Sequence, residues 1–439
     1  MKNTIFAFLL ITLCFYSNNT AQNAIKNGRP FSIKDTLITH LISQVSSDSI
    51  RSYTLKLESF GTRYAYAPDR DKVTNWIIDK FKSFGYSNIE VDSFLTNNIW
   101  CKNITAELKG KLFPDNFCIT GAHYDSYAYA LSNSNAPGAD DNASGTAAVL
   151  EMARIAKLNS FTPNFTIKFI TFDAEEVGLL GSANIANKSK EAGQKIKLMI
   201  NQDMIATTAS IDTIVNIICN DNFELYGRYA AAQTAGFSKL RAKVTSLFGG
   251  SSDYLSFSQN GYPSISYNEP ELSDKMHSTN DLSIYCNYDY CAKVVRASFA
   301  TLLHSSLSPS VVSDLVAANI GDGKSERLKW RSQKDSGIQH FKVYMGKSPW
   351  NFDSSLISLD TSVVFDKLDD GTAYYFGVSA IDNDSMEGII KQISIIAAHL
   401  PFAPKNLADS PEKDKIVLKW IKNNEEDLAG YNIYRSMDS

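Results

Sequence analysis

Residues 165–182 read FTIKFITFDAEEVGLLGS, an apolar run that passes directly into two consecutive glutamates. The run 165–172 is rich in β-branched and aromatic residues and predicts a buried strand. Further strands are predicted at residues 117–122, 197–201 and 213–219. Helical periodicity and helix-start signals predict helices at residues 69–84, 144–158, 223–235 and 288–303. Strands that alternate with helices predict an α/β sheet covered on both faces.

The composition fits a folded chain of two or three domains. The 439 residues are 44% apolar and 21% charged, which is typical of proteins with a packed core. The formal net charge is −4 and no long basic stretch is present, which argues against nucleic-acid binding through bulk charge.

The first 21 residues have the pattern of an export signal. Lys2 supplies a positive start, residues 5–16 form an apolar run too short to span a bilayer comfortably, and Ala21 fits a cleavage position. No later run has transmembrane length. We therefore expect a soluble mature protein that is secreted or extracytoplasmic, with the periplasm or the cell surface as possible locations.

Removal of this segment leaves an odd number of cysteines, which are Cys101, Cys118, Cys219, Cys286 and Cys291. An odd count leaves at least one thiol without an internal partner. Cys286 and Cys291 are close enough in sequence to pair, whereas Cys118 lies in an apolar strand pattern that is typical of a buried thiol.

The C-terminal third contains an internal repeat. The tripeptide LKW at residues 328–330 is followed by Tyr344, and LKW at residues 418–420 is followed at the same distance by Tyr434. The two copies are 90 residues apart. This period, with an early Trp and a later Tyr, predicts a β-sandwich and resembles fibronectin type III domains.

Five polar segments follow predicted strands or lie in a late loop. They are GAHYDS at 121–126, PGADDNASG at 137–145, FDAEEVGLLGS at 172–182, NQDM at 201–204 and HSTND at 277–281. In open α/β sheets, ligands bind at the carboxyl ends of strands, so these segments can meet in one site. Each segment alone also fits an ordinary role as a turn, a helix cap or a solvated loop.

In two of these segments, the spacing of polar residues suits a metal site with a general base. His123 and Asp125 are two residues apart and share one side of an extended chain, so Asp125 can hold the second ring nitrogen of His123. Glu175 and Glu176 follow a strand that should be buried, where a bare carboxylate is costly unless it is paired or metal-bound. Adjacent glutamates can also divide the work, one as metal ligand and one as general base.

Taken in order, the five segments resemble the M28 family of zinc peptidases, the aminopeptidase Y group, over roughly residues 30–305. FGTR at 60–63, SDY at 252–254 and GYP at 261–263 are also similar to that family. The resemblance implies the zinc exopeptidase fold, a mixed, mostly parallel sheet with helices on both faces. All-β sandwich domains would follow it here.

The resemblance implies two Zn²⁺ ions and a set of five metal ligands. His123 and Asp203 would hold one ion, Glu176 and His277 the other, and Asp141 would bridge them. Histidine and carboxylate ligands without cysteine suit zinc in a catalytic, open site. Ions that share a bridging carboxylate activate a water molecule and polarise the scissile carbonyl.

The resemblance also implies roles for other residues. Glu175 would be the general base, Asp125 would support His123, and the peptide bond between Asp141 and Asn142 would be cis. Family members often have a Tyr near the last His that stabilises the oxyanion, but Met276 precedes His277 here. Two other tyrosines, Tyr254 and Tyr267, are therefore candidates for that role.

We expect a secreted dinuclear zinc exopeptidase that hydrolyses the N-terminal peptide bond of peptides, an aminopeptidase. A carboxypeptidase or a glutaminyl cyclase of the same fold, or an adhesion protein with an inactive peptidase domain, are the alternatives. The full ligand set and Glu175 argue against the cyclase and the inactive protein, but the ligand set does not exclude a carboxypeptidase.

The predicted domain order has four parts. Residues 1–21 form the signal peptide, 22–306 the peptidase domain and 307–400 a fibronectin type III-like domain. Residues 401–439 are the start of a second such domain, truncated at Ser439. We expect a peptide substrate, no nucleic-acid partner and no transmembrane segment, and the fibronectin-like domains offer a route to surface or matrix attachment.

Overall fold

The structure is a computed structural model that describes residues 32–207, 212–246, 251–332, 337–399, 401–424 and 428–436. The predicted export signal lies outside the described residues. The chain divides into two compact units. The first comprises residues 1–311 with 333–339 and 379–390, and the second comprises residues 312–332, 340–378 and 391–439.

The first unit is built from eight strands and eight helices in the described residues. The strands are β1 (Ile89–Thr96), β2 (Ile99–Leu108), β3 (Phe113–His123), β4 (Phe165–Phe172), β5 (Lys195–Gln202), β6 (Ile214–Ile218), β7 (Arg241–Thr245) and β8 (Ser264–Asn268). The helices are α1 (Ile33–Ser43), α2 (Ser47–Glu58), α3 (Asp71–Ser83), α4 (Gly145–Leu158), α5 (Leu180–Glu191), α6 (Glu224–Phe237), α7 (Tyr254–Gln259) and α8 (Tyr288–Leu307).

The eight strands form one mixed sheet in the order β1-β2-β4-β3-β5-β8-β6-β7. The central pairs β4-β3, β3-β5 and β5-β8 are parallel, and so is the edge pair β6-β7. The pairs β1-β2, β2-β4 and β6-β8 are antiparallel. The predicted mixed, mostly parallel sheet is therefore confirmed.

Strand β4 shows why both faces of the sheet are covered. Ile167 and Phe169 enter the larger core with residues of α4 and α8, whereas Ile170 and Phe172 enter a second core with Phe257 of α7. Successive side chains of a strand point to opposite faces, so an unbroken apolar run requires a core on each side.

Helix α4 lies unusually close to the end of β5. A Cβ atom added to Gly145 would lie 2.3 Å from the carbonyl oxygen of Gln202. The segment before the helix, Ala139–Ser144, is buried throughout, and Asn142 Nδ2 donates to the same carbonyl at 2.9 Å. Small residues at this helix start thus let the loop that carries Asp141 approach the strand ends.

The second unit contains antiparallel sheets. The strands are β9 (Ser313–Asn319), β10 (Glu326–Arg331), β11 (Ile338–Gly346), β12 (Ser354–Ser358), β13 (Ser362–Phe365), β14 (Ala373–Asp382), β15 (Lys391–Ile396), β16 (Lys405–Glu412) and β17 (Lys415–Ile421). The sheet orders are β13-β10-β9, β12-β11-β14-β15 and β16-β17. The predicted sandwich architecture after the α/β domain is confirmed.

Aromatic pairs join the first two of these sheets and recur in the repeat. Trp330 of β10 contacts Phe341 of β11 with ring centroids 5.4 Å apart. Trp420 of β17 contacts Tyr431 at 5.1 Å, and the rings are inclined by 66° compared with 69° for the first pair. Both pairs have the same sequence spacing, so the 90-residue repeat is also a repeat of contacts.

The five described cysteines are free thiols, so Cys286 and Cys291 are not paired in the structure.

Among the described helices, none is both long enough and apolar enough to cross a membrane.

Candidate metal centre

Three neighbouring parallel strands deliver side chains to one edge of the sheet. His123 is the last residue of β3, Glu175 and Glu176 lie just beyond β4, and Asp203 directly follows β5. Because β4, β3 and β5 are adjacent and parallel, their carboxyl ends meet at the same edge. The remaining two predicted ligands, Asp141 and His277, come from loops.

The five predicted ligands form two groups that share Asp141. In the first group, His123 Nε2 lies 3.4 Å from Asp141 Oδ1 and 3.5 Å from Asp203 Oδ1. In the second, His277 Nε2 lies 3.2 Å from Asp141 Oδ2 and 3.0 Å from Glu176 Oε2. Each oxygen of Asp141 thus faces a different histidine.

These distances fit metal ions between the side chains. Zinc–ligand bonds of about 2.0–2.2 Å in a tetrahedron separate the ligand atoms by about 3.3–3.6 Å. The four separations of 3.0–3.5 Å fall within this range or slightly below it. Within the described residues, the buried oxygens Asp203 Oδ1 and Glu176 Oε1 have no hydrogen-bond partner. Buried carboxylate oxygens without donors are costly, and cations would satisfy them. The residues present therefore fit two zinc ions.

Asp125 supports this site through the main chain as well as through His123. Its carboxylate accepts hydrogen bonds from the N–H groups of Glu175 at 3.1 Å and Glu176 at 3.2 Å. Its Oδ1 lies 3.5 Å from His123 Nδ1, and its carbonyl oxygen lies 3.2 Å from that nitrogen. Asp125 thus lies beside His123, as predicted, and its carboxylate also holds the main chain of Glu175 and Glu176.

Two further residues orient the ligands. The sequence resemblance covers them without giving them a role. Ser252 Oγ donates to Asp203 Oδ2 at 2.5 Å and accepts from Asn201 Nδ2 at 2.7 Å. Asp281, the last residue of HSTND, accepts the N–H of Asp141 at 3.0 Å through its carboxylate. These contacts join residues that are far apart in the chain, so no regular sequence spacing indicates them.

The backbone is constrained around the ligands. The peptide bond between Asp141 and Asn142 is cis, as the resemblance implied. Ala174, Met204 and His277 have positive φ angles of 59°, 46° and 57°. Residues with a side chain rarely adopt this left-handed conformation, and such residues cluster at functional sites.

Burial and neighbouring charges set the electrostatics of the site. Burial, with the nearby Asp203 carboxylate, raises the pKa of Glu175 well above its usual range, while His123 opposes the shift. Burial also raises the pKa of Glu176 to about 8. Hydrogen bonds to Asp141 and Glu176 raise the pKa of His277 to about 10. These raised pKa values indicate that the closely spaced carboxylates favour a positive charge between them.

The two tyrosines that are candidates for oxyanion stabilisation are both buried. Tyr267 is fully buried, and its hydroxyl is hydrogen-bonded to Thr301 Oγ1 at 2.8 Å. Tyr254, the first residue of α7, is 3% exposed and belongs to the same core as Phe172 and Phe257. Sequence alone did not reveal that both side chains are enclosed by neighbouring elements.

Other tyrosines do reach the rim of the site. The ring centroid of Tyr127 lies 5.2 Å from that of His277, and the ring centroid of Tyr129 lies 6.1 Å from it. Both tyrosine rings are nearly perpendicular to the imidazole. Tyr129 is 67% exposed. These residues follow the GAHYDS segment, but exposed aromatics beside a ligand could not be recognised without the loop conformation.

Residues 103–302 match the model of Peptidase family M28. This chain carries an M28 peptidase domain. The M28 match includes all five polar segments completely and most of the sheet, and the predicted resemblance to the M28 family is confirmed.

Similar proteins agree with this placement. The chain is 28% identical over 361 residues to a probable zinc metalloprotease of Pyrenophora teres f. teres, covering 71% of this chain and 76% of that protein. It is 28% identical over 321 residues to a probable leucine aminopeptidase of Arthroderma otae, covering 69% and 85%. The crystal structure of LapB from Legionella pneumophila has a TM-score of 0.56 at 22% identity, covering 62% of this chain and 75% of that chain. This last likeness shows the fold of the M28 domain.

Proposed function

We propose that the protein is a dinuclear zinc aminopeptidase. The observation that carries the proposal is the pair of histidine-carboxylate groups on either side of Asp141, with one oxygen of Asp141 facing each histidine. His123 and Asp203 would hold one ion, and Glu176 and His277 the other. Two zinc ions, when bound, activate a water molecule and polarise the scissile carbonyl.

In this proposal, Glu175 would act as the general base. Its Oε2 lies 3.9 Å from His123 Nε2, beside the first ligand group. Its side chain is 11% exposed, so it can reach a substrate while most of its surface is enclosed. The raised pKa suits a carboxylate that takes a proton from water and delivers it to the leaving amine.

The charge of the site favours an amino terminus over a carboxyl terminus in the substrate. Asp203 and Asp253 both act electrostatically on Glu175, and Asp253 is fully buried. These carboxylates attract an ammonium group. Arg63 interacts electrostatically with the site, but its guanidinium already donates to main-chain carbonyls and cannot clamp a substrate carboxylate. A relative named as a leucine aminopeptidase supports the same choice.

A panel of substrates tests the proposal. Aminoacyl-p-nitroanilides, N-blocked peptides and N-terminal glutaminyl peptides would be incubated with the zinc-loaded protein, with and without a chelator. We expect hydrolysis of the free aminoacyl substrates that is lost with chelator and restored by zinc. Release of C-terminal residues from N-blocked peptides would indicate a carboxypeptidase, and pyroglutamate formation a cyclase. No turnover at all would support the inactive adhesion protein.

We also propose that the protein is exported and that its C-terminal part attaches it to a surface or matrix. The apolar run at residues 5–16 supports export, and the repeated Trp contacts support fibronectin type III-like modules. The intact mass of the protein recovered outside the cell tests cleavage after Ala21. Retention of the full precursor inside the cell would contradict export.

A further inference from the structure

Arg63 is the largest fully buried side chain in the described part of the chain, with 1% of its surface exposed. It ends the FGTR segment, to which the proposed chemistry gives no role. A buried guanidinium is costly unless its N–H groups are hydrogen-bonded. Its partners therefore indicate what the residue does.

Four carbonyl oxygens accept hydrogen bonds from this one side chain. Nε donates to Tyr124 O at 2.7 Å, Nη1 to Pro137 O at 2.6 Å, and Nη2 to Gly138 O at 2.7 Å. Nη1 also approaches Leu57 O, at the end of α2, at 3.3 Å. A planar fork with five donors can join several acceptors in one rigid arrangement.

Three of these four carbonyls, those of Tyr124, Pro137 and Gly138, belong to the two loops that carry metal ligands. Tyr124 lies between His123 and Asp125, while Gly138 lies shortly before Asp141. One guanidinium thus links the loop of the first ligand group with the loop of the bridging carboxylate. A shift of either loop relative to the other would break bonds to Arg63.

The main chain and the packing reinforce this link. The N–H of Arg63 donates to Ser126 Oγ at 3.1 Å, and Ser126 Oγ donates to Ala136 O at 2.7 Å. Gly138 has a φ of +53°, and a Cβ there would lie 2.8 Å from Nη2 of Arg63. The guanidinium therefore fills a space with little freedom for movement.

Arg63 also brings a fixed positive charge. Burial lowers its pKa to about 10, while the carboxylates of Asp281, Asp125 and Asp141 act in the opposite direction. The group remains charged at neutral pH. It can therefore offset the negative charge of the ligand carboxylates without occupying a ligand position.

We propose that Arg63 is a positioning residue for the metal centre, which holds the His123 loop and the Asp141 loop in the geometry that two metal ions require. The inference rests on the metal centre of the proposed function but not on the identity of the substrate. It predicts that replacement of Arg63 changes metal affinity and ligand geometry, not only activity.

The test uses Arg63→Lys, which keeps the charge but not the fork, and Arg63→Met, which removes both. Zinc affinity would be measured by competition with a chromogenic chelator, and the ligand geometry by the visible absorption spectrum of the Co²⁺-loaded protein. We expect both variants to lose about 10–100-fold in metal affinity, as is usual when a group that orients ligands is removed. The Co²⁺ spectrum should change in both.

Arg296→Lys is the matched control, because Nη2 of Arg296 also donates to a carbonyl, Val45 O, but away from the ligand loops. It should keep the wild-type affinity and spectrum. If the Arg63 variants do not fold, Ser126→Ala provides a milder loosening of the same link and should lower metal affinity several-fold. The inference would be overturned if folded Arg63→Lys and Arg63→Met kept wild-type affinity and an unchanged Co²⁺ spectrum. Where those variants do not fold, the same result in Ser126→Ala would overturn it. A wild-type protein that binds two ions but hydrolyses no peptide would refute the proposed function and leave this inference standing.

Discussion

His123 and His277 face the same carboxylate, Asp141, from very different surroundings. His123 is 1% exposed and lies beside Asp125, while its partner Asp203 is held by Ser252. The side chain of His277 is 29% exposed in a loop, where tyrosine rings contact it. The first ligand group is therefore fixed by internal hydrogen bonds, whereas the second contains a histidine that solvent can reach.

This difference leads to separate expectations for the two groups. Changes around the first should act through metal binding, and changes at the rim of the second should act through the substrate. Asp141 belongs to both groups, so its replacement should have the largest effect of all.

Asp141→Ala should abolish measurable peptidase activity. Asp141 belongs to both possible ligand groups, so in the proposed centre the substitution would remove one ligand from each ion. Zinc content per chain, measured by mass spectrometry after dialysis, should fall along with the activity. Full zinc content and a rate within tenfold of wild type would show that Asp141 does not join the two groups.

The adjacent glutamates should respond differently to the same substitution. Glu175→Gln should keep both zinc ions but lose about 10²–10⁴-fold in kcat, because a general base contributes that much. Glu176→Gln should instead release zinc more readily, since it removes a ligand charge. Measurement of kcat and zinc content in both variants checks the assignment, and a Glu175→Gln enzyme with near-normal turnover would refute it.

Ser252→Ala should weaken zinc binding at the first group by about 10–100-fold, because Asp203 loses the hydroxyl that orients it. Ser256→Ala is a suitable control, since Ser256 is buried nearby and pairs with Ser182 rather than with a ligand. Chelator competition would compare the two variants. Equal zinc affinity in both would mean that the contact with Asp203 has no effect on metal binding.

Tyr129→Ala should produce the smallest effect, one that depends on the substrate. The ring is exposed beside His277, so its removal should reduce contact with a bulky substrate side chain but leave the ligands in place. We expect a loss of up to about tenfold in kcat/KM for leucyl relative to alanyl substrates. Tyr285→Ala, another exposed tyrosine, serves as the control. An equal loss for both substrates would point to damage at His277.

The order of polar segments was sufficient to predict the fold and the converging ligands. Strand 165–172 is found with the predicted bounds, and helix α4 begins one residue later than expected. Buried parallel strands leave long apolar runs, and the polar residues directly after them must lie at one edge of the sheet. That regularity is what made His123, Glu176 and Asp203 recognisable.

The sequence was less informative where a contact depends on the path of a loop. The β1–β2 hairpin and β8 were not predicted, since β1 alternates between exposed and partly buried positions and β8 is only five residues long. The burial of Tyr254 and Tyr267, the candidates for oxyanion stabilisation, was not predicted because it depends on distant elements. Arg63 acts through carbonyl groups, which every residue has, so no pattern of side chains indicates its partners.

The most direct test of the account is an anomalous-diffraction map of the zinc-loaded protein, recorded above and below the zinc absorption edge. We expect two peaks, one on each side of the Asp141 carboxylate, with His123 and Asp203 at one and Glu176 and His277 at the other. The two ions of such centres lie about 3.5–4 Å apart. A single peak, or two peaks that do not share Asp141, would contradict the central claim.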